Sequence, residues 1–131
     1  MTVEQLVVDG LRLALDPVPV WFMTAPQSED DDAPPLPLVI VSNAGMSDLA
    51  PTTCGNGSVF TVTLQVDAYA YSAEEARMVA DEVRVVMPTL VAATLEFSQF
   101  VYEPDPRAWR VTSDWSVTEA APILATGQPQ P

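Results

Sequence analysis

The side chains that could do chemistry are few and scattered. The 131 residues include no histidine and one cysteine, so the commonest general base and metal ligand is missing and no internal disulfide can form. Cys54 lies in Thr-Thr-Cys-Gly-Asn-Gly and, with no histidine to draw off its proton, reads as a small loop residue rather than a nucleophile. No serine stands in a nucleophile-elbow context. Paired carboxylates occur at Glu74/Glu75 and Asp81/Glu82, but both pairs fall on the polar side of a helical pattern and read as hydrated. The acidic run at 29–32 could gather calcium, yet it lacks the spaced ligands and turn glycine of an EF-hand loop and reads as a solvated loop. Gly55-Asn56-Gly57 follows no strand-to-helix turn and has no lysine nearby, which argues against a phosphate cradle. Asp67, between Gln65 and Tyr69, is the one acid of interest: across a subunit contact it could meet Arg84 or Arg110, against a plain reading as an exposed strand carboxylate. No catalytic residue, metal or cofactor is expected, and no enzymatic activity.

Charge narrows the class of partner. Eighteen acidic residues face five arginines and no lysine, for a formal charge of −13. A surface that negative repels a phosphate backbone, so direct nucleic-acid binding is not expected. The opening MTVEQLVVDG is acidic where a signal peptide needs a positive flank, and no apolar run approaches the ~20 residues of a membrane span. The length suits one domain over 1–121, with an extended tail over 122–131.

The elements are organised around residues 59–87. From Val59 to Tyr71 the even positions Phe60, Val62, Leu64, Val66, Ala68 and Ala70 are apolar and the odd ones mostly polar, the period of a strand with one face on a core. The period becomes helical at Ser72, which with Glu75 forms a capping box. Ala76, Val79, Ala80, Val83, Val86 and Met87 share a face of this helix, and Pro88 is expected to close it.

Upstream, Thr2 and Gln5 repeat the capping pattern, and Val3, Leu6, Val7, Gly10, Leu11 and Ala14 line one side of a first helix ended by Asp16-Pro17. Residues 17–26, with Trp21, Phe22 and Met23, read as a rigid extended segment over the core in preference to an exposed docking patch. Leu38 to Ser42 reads as a short buried strand, and 43–58 as a long loop. Downstream, 95–102 reads as a strand with Leu95, Phe97 and Val101 on one face and Phe100 and Tyr102 on the other. The turn at 103–106 leads to a last strand whose Trp109, Val111, Trp115 and Val117 face inward. The order helix, strand, strand, helix, strand, strand predicts an α+β fold, with a four-stranded, mainly antiparallel sheet and two helices packed on one face.

With its leading helix, the proline-preceded LPLVIVS, the long strand VTLQVDAYAYS and the helix SAEEARMVADEVRVVM, the chain resembles the tail-terminator or tail-completion proteins of long-tailed bacteriophages, a family that includes the lambda-type minor tail protein U. The most specific piece is 62–87, with Tyr69, Tyr71 and the Ser72-capped helix, and the closing strand with Arg107, Arg110 and Asp114 fits the same pattern. The acidic 29–32 loop and the proline-rich tail depart from a compact member.

The resemblance implies a structural virion protein at the head-proximal end of the tail, assembled in the host cytoplasm. Its copies form a ring, usually of six, that caps the tail tube, stops its polymerisation and joins the tail to the neck. It implies as partners the tail tube protein, a neck or head-completion protein and further copies of the chain, with no membrane. DNA would pass through the negative lumen without specific binding. On this reading Asp67, Tyr69, Tyr71, Arg84 and Arg110 belong to the contact between copies, and loops carrying Asp30, Asp31, Asp32, Met46, Asp48, Leu49 and Asn56 face tube or neck. A neck or head-closure protein and a small acidic binding module are the alternatives.

Overall fold

Thr2 and Asp16 bracket the first helix, α1 (Val3–Leu15). The Thr2 hydroxyl accepts the Gln5 backbone N–H at 3.1 Å, and Asp16 leaves the helical region ahead of Pro17. The computed structural model describes residues 2–23, 35–51, 58–104 and 108–120.

The buried face of α1 is Val3, Val7, Val8, Leu11 and Leu15, rotated from the expected one: Leu6 is 41% exposed and Ala14 lies in solvent. The rotation arises because α1 covers two surfaces, the sheet and the end of the second helix. Gly10 is where the helices meet, and a Cβ added there would lie 2.5 Å from Leu90 Cδ2. Gly10→Ile is therefore expected to cost about 1–3 kcal/mol by overpacking, read as a lower urea midpoint. Adding Leu90→Ala to Gly10→Ile should recover part of the loss.

Five strands follow the order β1-β2-β3-β5-β4 in one mixed sheet. They are β1 (Val20–Phe22), β2 (Leu38–Pro51), β3 (Ser58–Ala70), β4 (Ala93–Glu103) and β5 (Ala108–Ala120). The two expected hairpin-like pairs, β2 with β3 and β4 with β5, are antiparallel, and β3 with β5 joins them through the centre.

Three expectations change here. The sheet has five strands rather than four, because Val20, Trp21 and Phe22 pair in parallel with Val39, Ile40 and Val41 as an edge strand. The segment 17–26 was expected to lie over the core; its middle instead joins the sheet. β2 does not stop at Ser42 but runs 14 residues, so Met46, Asp48 and Leu49 lie in a strand and not in a loop. Bulges explain the difference: Ala44 and Leu49 are each an extra residue without an opposite number on β3, and each shifts the alternation by one position. At the first bulge the Asn43 side-chain carbonyl accepts the Gly45 N–H at 2.8 Å, and Gly45 has a φ of 152°, a conformation that glycine adopts without penalty.

Helix α2 (Ala73–Leu90) starts where expected, with the Ser72 hydroxyl accepting the Glu75 N–H at 3.1 Å. It runs past Pro88, which sits in its last turn, and the Val91 N–H closes the helix on the Met87 carbonyl. A proline so near the end removes one hydrogen bond without stopping the final residues from winding.

Both helices pack on one face of the sheet, as expected. Val7, Leu11, Val79, Val83 and Met87 meet Val39, Val41, Val62, Leu64, Val66, Trp115 and Val117 in one core. Each buried aliphatic side chain in it contributes about 1.5–3 kcal/mol relative to exposure, so this face orients the sheet and leaves the opposite face and the two margins to carry polar groups.

Candidate interaction surfaces

The helix-free face of the sheet carries the odd positions of β3 and the even positions of β5. Register sets Tyr69 opposite Arg110 and Asp67 opposite Thr112, one diagonal step from Arg110. Asp67 is 5% exposed, and its Oδ2 lies 4.0 Å from Arg110 Nη1 and accepts from Gln65 Nε2 at 3.0 Å. Arg110 Nη2 reaches Glu103 at 3.3 Å. One guanidinium thus sits between two carboxylates and beside a phenol, all within one chain.

This geometry corrects the plain reading of Asp67 and supplies it with an arginine from within the chain. It is not an exposed strand carboxylate, and the arginine it meets comes from its own chain. Adjacent strands bring the two residues together without any second copy. The electrostatics follow from the crowding. Burial, and then the negative charge of Asp67, push the Tyr69 phenol above its ordinary pKa of 10.0, with Arg110 opposing. Burial works against the charge on Arg110, but Asp67, Tyr69 and Glu103 together outweigh it and raise its pKa.

A raised Tyr69 pKa means the fold favours the protonated phenol, so its contribution is complete below about pH 10 and declines as pH rises through the folded value. The expected result is a loss of thermal stability above about pH 10 that is shallower in Tyr69→Phe, measured as melting temperature against pH.

The other expected contact residues lie elsewhere. Tyr71, at the junction of β3 and α2, is 65% exposed. Arg84 is on α2, on the helix side of the sheet, and pairs with Asp81 at 2.9 Å. The structure therefore unites Asp67, Tyr69 and Arg110 and separates Tyr71 and Arg84 from them. Asp30, Asp31, Asp32, Cys54 and Asn56 lie outside the described residues.

Sequence reasoning missed the outer margin. Strand β4 spans 11 residues and is the last in the sheet order, so one side of its backbone has no strand partner among the described residues. Phe97, Phe100 and Tyr102 on it are 50%, 44% and 48% exposed. Leu95, Phe97 and Val101 were expected on one face of this strand and Phe100 and Tyr102 on the other. The correction has a local cause: Glu96 is a bulge, which sets Leu95 on the helix side with Phe100 and Tyr102 and leaves Phe97 and Val101 on the other. The signal was present in LEFSQFVY, where aromatic residues occupy both phases and no charge falls between Glu96 and Glu103.

A groove runs along this margin on the helix side, lined by Arg77, Asp81 and Arg84 of α2 and by Leu95, Phe100 and Trp115 of the sheet. At the opposite margin a second groove is lined by Glu4, Asp9 and Arg12 of α1 and by Phe22. Among the described residues no group of acids and cysteine is placed to hold a metal ion, and no helix is long and apolar enough to cross a membrane.

No family model matches the chain. No curated protein matches it either. Among solved structures it is similar to a chain described as "Virion of native gene transfer agent (GTA) particle", at 16% identity and a TM-score of 0.47, with 85% of this chain and 84% of that one covered.

Proposed function

We propose that this protein is a structural component of a virion, a tail terminator whose copies close into a ring, cap the tail tube and present a surface to the neck. The observation that carries this reading is the β4 margin: 11 residues of strand with one side unpaired among the described residues, and three exposed aromatic rings, in a chain of charge −13. An edge of that kind invites pairing with another chain, and a closed ring occupies it in every copy. The resemblance of 62–87 to tail-completion proteins supports the same reading.

The chemistry of such a protein lies in its surfaces. High negative charge keeps free copies apart in solution and lets DNA pass a lumen without adhering. Assembly then depends on short-range contacts at the margins that overcome this repulsion. Electron microscopy of particles made without the protein tests the proposal. Overlong tails lacking heads are expected; tails of normal length beside open heads would instead assign the protein to the neck.

A further inference from the structure

The two margins of the sheet each carry a groove, and the grooves differ in charge. On the α2/β4 side Arg77 and Arg84 flank Asp81, at 3.7 Å and 2.9 Å, and their side chains are 65% and 56% exposed. Two of the five arginines of the chain thus stand at one groove with a single carboxylate between them. On the α1/β1 side the balance reverses. Glu4 and Asp9 line the groove with Arg12, whose Nε donates to the Val20 carbonyl at 2.9 Å while its guanidinium lies 5.9 Å from the centroid of the Trp21 ring. Arg12 Nη1 also lies 3.9 Å from Asp9, so two acids face one arginine and the net sign of this groove is negative.

Apolar groups complete each side. Phe100 and Tyr102 are exposed at one margin, and Phe22 and Met23, 42% and 55% exposed, at the other. Both grooves open on the helix-bearing side of the sheet, so abutting them would set α2 of one copy beside α1 of the next and continue both layers.

We propose that the α2/β4 margin of one copy seats on the α1/β1 margin of the next, with Arg77 and Arg84 facing Glu4 and Asp9 and the exposed aromatic side chains between them. The occupant of each groove is a second copy of this chain. Bringing either margin against itself would oppose like charges, so the contact is head to tail, the kind that closes into a ring. This inference rests on the ring reading and names its seam.

Charge reversal tests it. One variant carries Arg77→Glu and Arg84→Glu, the other Glu4→Arg and Asp9→Arg; because half-buried Glu4 also accepts from Asn43 Nδ2 at 3.0 Å, circular dichroism confirms that each folds. Each variant alone is expected to lose self-association by at least tenfold in apparent dissociation constant, measured by light scattering on purified protein or on purified tail tubes. An equal mixture should regain it, because every altered margin then meets its complement in an alternating ring. Wild-type assembly by both variants alone, or a mixture that stays dissociated, would overturn the seam while leaving the ring reading intact. A defect confined to the arginine variant would overturn it in favour of β4 pairing with β4. A wild-type protein that stays monomeric both alone and on tail tubes would overturn both the seam and the ring.

Discussion

Arg110→Met is expected to lower the free energy of unfolding by about 3 kcal/mol, the low end of the range for breaking a buried ion pair from one side. The substitution keeps the length of the stem but leaves the Asp67 carboxylate, 5% exposed, with the Gln65 amide as its remaining donor. That amide is why the loss stays at the low end. Glu103, on the outer strand, loses its partner as well but can turn to water. The companion variant Asp67→Leu with Arg110→Met removes both charges together. It should lie within about 1 kcal/mol of the wild type, since an apolar pair of similar volume often replaces a buried ion pair without loss. Urea unfolding of the two single variants and the double closes a cycle whose coupling energy measures the pair. Additive losses would mean that the residues do not act on each other.

Trp115→Ala is the second large effect, expected at about 3–5 kcal/mol. Trp115 is 2% exposed and stands opposite Leu64 on one side and Leu95 on the other, within the core shared by the sheet and the helices. Its indole N–H donates to the Ser113 hydroxyl at 3.0 Å, and that hydroxyl donates to the Val66 carbonyl at 3.2 Å. Removing the ring opens a cavity and strips a buried hydroxyl of its donor, two costs that add. Trp115→Phe keeps most of the volume and should cost about half as much, with the unmet Ser113 hydroxyl as the main remaining term. A loss this large is comparable with the whole stability of a marginal domain. Circular dichroism in urea is the suitable measurement, because the substitution itself changes the fluorescence.

Much of this framework was legible in local pattern. The alternation from Phe60 to Ala70 and the 3.6-residue spacing from Ala76 to Met87 each report burial on one side, and the structure buries Val62, Leu64, Val66, Ala68, Ala70, Ala76, Val79, Val83 and Met87. Both caps, Thr2 and Ser72, accept the N–H three residues on. What escaped is what pattern alone does not encode. Val20 to Phe22 is too short to show a period, and its parallel pairing with β2 joins segments far apart in sequence. The roll of α1 depends on a second helix it cannot announce, through the Gly10–Leu90 contact.

The candidate surfaces were legible to a lesser degree, for a related reason. Asp67, Tyr69 and Arg110 are suggestive residue types in sequence, but their assembly within one chain depends on β3 lying next to β5, an order that local alternation leaves undetermined. The β4 margin became a candidate once that same order placed it outermost.

The paired bulges of β2 carry a consequence for how this arm can change in length over evolution. Ala44 and Leu49 each offset the strand by one residue against β3, and the two offsets cancel, so Val39 and Pro51 sit in the same parity. Because neither has an opposite number, loss of either one closes its bulge and keeps every remaining pair on its face, whereas loss of a single paired residue would invert everything beyond it. Homologous arms should therefore differ in length by single residues at 44 and 49, and a lone one-residue gap at a paired position of the arm should be the rarest length variant among them.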